Sequence, residues 1–153
     1  MPYEHKSRRV VRFAETDMAG IVHFSEFFKY MENAEHDFYR TLGLSVHIQD
    51  QSSAFGWPRV HASFDYVKPL RFEDEAEVHI VVQEISSKTI LYRCFIRKVG
   101  VENHLCAKGS LKVICITKEG GNGRMRAANI PPFFKEKIEA APEDYLRELE
   151  ETR

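Results

Sequence analysis

The stretch FAETDMAGIVHFSEFFKYMENAEHDFYRTLGL, Phe13 to Leu44, decides the fold. Phe24, Phe27, Phe28, Met31, Ala34, Phe38 and Leu42 recur at three- and four-residue steps, which predicts one long helix with a single apolar face. Ser25 stands where an N-cap belongs, and Gly43 where a left-handed residue closes a helix. Upstream lies a tight acidic loop holding Asp17 and Gly20, and before it Arg8 to Ala14 alternates like a strand.

The text on either side of this stretch has a different character. Residues 1–6 read as a polar lead-in. Residues 45–58 lose clean periodicity and are expected to form a long surface loop that covers a pocket. From Val60 onward the chain reads as strands: Val60 to Val67, Asp74 to Ile85, Ile90 to Lys98 and Leu105 to Thr117. Lys68-Pro69-Leu70 breaks the first of them, because proline cannot donate to a ladder. Residues 120–123 read as a glycine-rich mobile loop. Pro131-Pro132 and Pro142 each suit the first turn of a helix. One strand, one long helix and then hairpin-connected strands predict an α+β fold. Its curved, mostly antiparallel sheet of about five strands wraps around the helix, whose apolar stripe is the cover available for the sheet.

Bulk properties narrow the function. A chain of 153 residues with 43% apolar and 29% charged residues suits one globular domain. A formal net charge of −1 argues against a nucleic-acid surface. Cys94, Cys106 and Cys115 are odd in number and spaced unlike a metal knuckle, so reduced thiols and a cytoplasmic location are expected. The seven histidines show no HxH or HxxxH pair, which disfavours a metal site. No run of apolar residues approaches membrane-spanning length, and no signal-like leader opens the chain.

Chemistry concentrates at the helix start. The first turn of a helix carries unpaired N–H groups and partial positive charge, suited to an anion or to the oxyanion of acyl transfer. A carboxylate just upstream can attack a carbonyl or activate water. Gly20 lets the backbone turn so that both features face one atom. On spacing alone, Asp17 and Gly20 serve equally well as a purely structural turn. Glu32 and Glu35 lie on the long helix, and Glu35 falls near its apolar stripe, where burial requires a partner or a raised pKa; snorkelling or pairing at a dimer interface is expected rather than catalysis.

Thr16-Asp17-Met18-Ala19-Gly20-Ile21-Val22, followed by the aromatic-rich helix, resembles the signature of the 4-hydroxybenzoyl-CoA thioesterase-like branch of the hotdog-fold superfamily. Tyr66-Val67-Lys68-Pro69-Leu70 with Asp74, Ala107-Lys108-Gly109, and the Ile130-Pro131-Pro132 helix extend the resemblance over residues 8–138. It implies a single hotdog domain over 1–153, with 139–153 as a helical tail, and hydrolysis of acyl-CoA thioesters. Asp17 is then the nucleophile or general base, the Phe24 backbone N–H the oxyanion donor, and Gly20 the turn that aligns them. His23 stands one residue before the place where some relatives carry a histidine or tyrosine. It contacts the acyl group, tunes Asp17, or is simply a half-exposed histidine. Phe27, Phe28 and Trp57 are candidate acyl-pocket residues, and Lys88 a candidate for a coenzyme A phosphate. The resemblance implies no metal or organic cofactor, coenzyme A entering as part of the substrate. It implies a homodimer that forms the active site, paired further into a homotetramer. Hydrolysis of acyl groups on acyl-carrier protein, and non-catalytic acyl-CoA binding, are the alternatives.

Overall fold

The computed structural model describes residues 2–49, 53–119 and 123–152. Its main sheet has five strands in the order β1-β5-β6-β7-β4, every neighbouring pair antiparallel. They are β1 Glu4–Val10, β4 Arg59–Tyr66, β5 Glu75–Ile85, β6 Thr89–Lys98 and β7 Leu105–Ile114. β1 and β4 are the two edges, far apart in the sheet. Helix α1, Glu26–Thr41, packs across β1, β5 and β4.

Strand alternation divides the sheet between two cores. Ala76, Val78, Ile80 and Val82 of β5 join Tyr92, Cys94 and Ile96 of β6 under the buried face of α1, which carries Phe27, Tyr30, Met31, Ala34 and Phe38. On the opposite face, Val81 and Phe95 pack against Tyr145, Leu146 and Leu149. Those three belong to α3, Glu143–Glu151, which follows the one-turn helix α2, Pro132–Lys135, and is tied down where Arg93 donates to both carboxylate oxygens of Glu150 at 2.5 and 3.0 Å. The tail is therefore a second cover for the sheet. The three cysteines are free and buried, and burial pushes the Cys94 thiol up to about 12.

Several local expectations are corrected. The first strand begins at Glu4 inside the supposed lead-in, and Phe13–Glu15 is a short helical turn. Residues 45–58 carry strands: β2, Ile48–Gln49, and β3, Ser53–Gly56, pair in a small second sheet with β8, Ile116–Glu119, and β9, Met125–Ala127. The expected strand Leu105 to Thr117 is split at Cys115, where one strand leaves the main sheet and the next joins the small one. Phe24 precedes α1 and is exposed, so the buried stripe starts at Phe27. Ser25 occupies the N-cap position, but its hydroxyl bonds His23 instead of capping the helix. Gly43 has φ 71, as the closing residue requires. Of the glycine-rich loop, residues 120–122 lie outside the described residues.

Glu35 is fully buried and paired within its own chain. Arg59 donates to both its oxygens, at 2.5 and 3.1 Å, and Tyr39 donates to it at 3.2 Å while also bonding Tyr92 at 2.5 Å. Burial lifts the Glu35 carboxyl above its ordinary value, against the pull of the Arg59 guanidinium.

Candidate active site

The Asp17 loop is a closed turn. Asp17 N–H donates to the Ile21 carbonyl at 2.9 Å, and Gly20 N–H returns to the Asp17 carbonyl at 3.0 Å. Gly20 has φ 81, a region that side chains enter only at a cost. The Ala19 N–H donates to Asp17 Oδ1 at 2.8 Å, and the Ile21 N–H approaches the same oxygen at 3.5 Å. One carboxylate oxygen is thus anchored to backbone, and Oδ2 has no bond among the described residues.

Three attachments fix the loop to the sheet and helix. Val22 N–H donates to the Leu70 carbonyl at 2.8 Å, and His23 N–H to the Glu15 carbonyl at 2.9 Å. The Glu15 side chain accepts from Arg9 at 2.7 Å, from the Arg12 N–H at 2.8 Å and from Tyr30 at 3.0 Å. The Arg9 guanidinium also lies 3.9 Å over the Tyr30 ring. Burial, then the bond to Glu15, raises the Tyr30 hydroxyl far above its usual range. This knot joins β1, the Phe13–Glu15 turn and α1, and it holds the segment that carries Asp17.

Asp17, Phe24, Phe27, Tyr66 and Pro69 line a cavity of about 380 Å³ at the N-terminal end of α1. Among the described residues no acceptor is found for the Phe24 N–H, while the Phe24 carbonyl accepts from the Tyr66 hydroxyl at 2.9 Å. Burial raises the Tyr66 hydroxyl, so it stays protonated as a donor. Phe27 meets the Tyr66 ring edge-on at 5.2 Å. An anchored carboxylate with one free oxygen, and a free N–H at a helix start, therefore share one apolar cavity. That combination suits attack on a polarised carbonyl.

The other residues singled out from the sequence spread more widely. His23 is not among the residues lining this cavity; its Nδ1 lies 2.7 Å from Ser25 Oγ and its ring is tilted on Phe24. Phe28 packs edge-on against Phe64 at 5.1 Å. Trp57 is 6% exposed, its ring tilted 4.8 Å from that of Phe134, and its Nε1 is buried without a partner among the described residues. It lines a second cavity of about 390 Å³ with Glu32, His36, Phe55 and Arg59. Lys88 sits in the turn between β5 and β6. Strand register puts Arg59 and this turn at one end of the sheet and Tyr66 at the other, roughly 23 Å apart along β4. Within one protomer, Trp57 and Lys88 are therefore not brought to Asp17. The Glu15 knot and the Tyr66 hydroxyl carried no local motif in the sequence. The weak signal available was Tyr66 heading the Pro69-Leu70 break.

Among the described residues, no group of three or more His, Cys, Asp or Glu could hold a metal, and no helix is long and apolar enough to cross a membrane.

A sheet packed on one long helix, with an acid on the loop leading into that helix, defines a hotdog-fold thioester hydrolase. Comparison with known proteins gives the same class. Residues 11–138 match the model of the thioesterase-like superfamily, and the chain belongs to that family. It is 34% identical over 120 residues to a protein of Aquifex aeolicus provisionally named an esterase, covering 78% of this chain and 88% of that one. It is 26% identical over 153 residues to a 1,4-dihydroxy-2-naphthoyl-CoA hydrolase of Synechococcus, covering 94% of each. Among solved structures, a 1,4-dihydroxy-2-naphthoyl-CoA thioesterase from Synechocystis superposes with TM-score 0.74 at 22% identity, over 88% of this chain and 95% of that one. A 4-hydroxybenzoyl CoA thioesterase mutant complexed with 4-hydroxybenzoyl CoA gives 0.74 at 14%, over 90% and 100%. The two structural likenesses establish the fold, and the family establishes a thioester hydrolase.

Proposed function

We propose that this thioesterase hydrolyses aromatic acyl-CoA thioesters, with Asp17 as the reacting carboxylate and the Phe24 N–H as the oxyanion donor. The observation that carries the reading is that an anchored Asp17 and a Phe24 whose N–H finds no acceptor among the described residues line one cavity. The thioester carbonyl oxygen would lie on that N–H. Asp17 Oδ2 then attacks the carbonyl carbon or takes a proton from a water that does so. The tetrahedral intermediate expels the coenzyme A thiolate, which takes up a proton; where water attacked, the free acid forms directly, and where Asp17 attacked, the resulting acyl anhydride is hydrolysed by a water that restores the carboxylate and releases the acid.

A dimer formed through β4 would fit the aromatic assignment. β4 is an open edge, and Val60, Tyr66 and Val67 on and beside it are 55%, 47% and 50% exposed. Antiparallel pairing of this edge with a second copy sets the Arg59 end of one protomer beside the Tyr66 end of the other. The cavity bearing Trp57 and Phe55 would then continue the Asp17 cavity across the interface and offer flat apolar walls, with Glu32, His36 and Arg59 as polar partners. The names of the relatives, hydrolases of 1,4-dihydroxy-2-naphthoyl-CoA, point the same way. Two such dimers would make a tetramer.

The test is a panel of benzoyl-, 1,4-dihydroxy-2-naphthoyl-, hexanoyl- and palmitoyl-CoA and an acyl-carrier-protein thioester, followed by thiol release. The reading expects kcat/KM highest for an aromatic acyl-CoA. Highest activity on an aliphatic chain or on the carrier-protein thioester would overturn it, and binding of all five without turnover would favour a non-catalytic role.

A further inference from the structure

Phe24 stands one residue before the N-cap position of α1, outside the helix ladder, so individual bonds hold its backbone in place. The amide that bears the Phe24 N–H ends in the His23 carbonyl, which accepts from the Glu26 N–H at 2.9 Å. The next amide joins Phe24 to Ser25. Its N–H end reaches His23 Nδ1 at 3.3 Å, a loose contact. Its carbonyl end, on Phe24, accepts from the Tyr66 hydroxyl at 2.9 Å. Among the described residues no backbone N–H donates to that carbonyl. Phe28, which would do so if the helix ran back one turn, donates to the Ser25 carbonyl at 3.2 Å instead. Tyr66 therefore supplies the tether on the C-terminal side of Phe24.

The tether is itself well fixed. Tyr66 closes β4 opposite Ala107, and the two N–H groups after it, on Val67 and Lys68, donate to the Cys106 carbonyl at 2.7 and 3.1 Å. Its ring meets Phe27 edge-on and lies 6.2 Å from that of Phe64. Strand and ring packing together thus set where the hydroxyl points. Tyr66 is 47% exposed, and a half-exposed phenol is free to bond water, so burial does not force it onto this carbonyl. Tyr66 also lines the cavity that Asp17 and Phe24 share. Placement matters there, because an oxyanion donor works only when aimed at the position where charge develops. A misplacement of about 1 Å costs roughly a hundredfold in rate.

We propose that Tyr66 is the positioning residue of the oxyanion site: its hydroxyl, through the Phe24 carbonyl, fixes the backbone that aims the Phe24 N–H into the Asp17 cavity. The assignment rests on the reading of Phe24 as the oxyanion donor. Tyr66 transfers no proton in this role. Its hydroxyl, raised by burial, stays a donor while the reaction runs.

Tyr66→Phe keeps the ring against Phe27 and removes the hydroxyl, and the dispersion of its amide spectrum checks that it folds. By nitrogen-15 relaxation the Phe24 amide of the native protein should be rigid, with an order parameter of about 0.85, and should drop below about 0.7 in the variant. Single-turnover hydrolysis of benzoyl-CoA should slow about tenfold, with binding of the substrate changed by less than about twofold. The pH profile of the slowed step should keep its shape. An unchanged Phe24 order parameter would overturn the assignment. So would a loss confined to substrate binding, which makes Tyr66 a pocket wall, or a vanished alkaline limb, which makes it a proton donor. A looser Phe24 amide with an undiminished chemical step would overturn it through the Phe24 reading itself, leaving the tether intact. If the native protein cleaves no CoA thioester, the thioesterase reading fails, and the order parameter alone supports or overturns the tether.

Discussion

Replacing Arg59 by Leu would strand a carboxylate in the core. Glu35 is 0% exposed, and Arg59 supplies its two charged hydrogen bonds; without it Glu35 keeps the Tyr39 hydroxyl and a looser approach of His36 Nε2 at 3.6 Å. Breaking a buried pair by removing one partner costs about 3–5 kcal/mol, because the remaining charge is uncompensated. At neutral pH, Arg59→Leu should lose that much in urea denaturation at fixed protein concentration, which matters for an associating chain. The double variant Arg59→Leu/Glu35→Leu should recover most of it. The pH dependence has a fixed sign. Burial already raises the folded Glu35 carboxyl above its ordinary 4.5, and losing Arg59 raises it further. A carboxyl raised in the folded state favours folding when protonated, so the deficit of Arg59→Leu should shrink as pH falls toward 4.5 and be full at neutrality. A loss below about 1 kcal/mol, equal at both pH values, would refute the view of Glu35 as a buried charge held by Arg59.

Other consequences follow from the same geometry. His79 is buried, accepts from Arg97 at 3.2 Å and bonds Glu4 at 2.7 Å, and burial lowers it below its ordinary 6.5. Its contribution to stability is therefore whole above 6.5 and falls as pH drops below that value; His79→Phe should flatten that limb of the stability profile, read by chemical denaturation. Tyr30→Phe removes the hydroxyl that bonds Glu15 and should cost about 1 kcal/mol in stability, with kcat reduced because the Asp17 segment loses a tether. Gly20→Ala meets no atom within 4 Å, so its cost of about 1 kcal/mol is the φ of 81 alone; thermal melts would show a modest shift and thiol release a larger fall.

The parts of this molecule that were legible in the sequence are those written locally. The periodic apolar stripe from Phe27 to Phe38 specified α1, and the Asp17-to-Gly20 spacing specified a turn at its entrance. The small sheet escaped because β2 and β3 are too short to show alternation between their Ser, Gly and Pro neighbours. Glu15, Arg9 and Tyr30 meet only after β1 and α1 have packed, and no spacing rule anticipates such a meeting. Trp57 and Lys88 show a related limit. Their chemistry was readable, but which end of the sheet each occupies depends on strand order and register. Ser25 illustrates competition: the residue that should cap α1 found His23 a nearer partner.

The central claim is that Asp17, with one oxygen tied to the loop backbone and one free, carries the reaction. Asp17→Asn keeps the size of the side chain and an oxygen to accept from Ala19. Single-turnover hydrolysis of benzoyl-CoA, with substrate binding measured on the same samples, should show binding retained and the chemical step slowed by about a thousandfold or more. Hydrolysis by the Asn variant at the native rate would contradict the account.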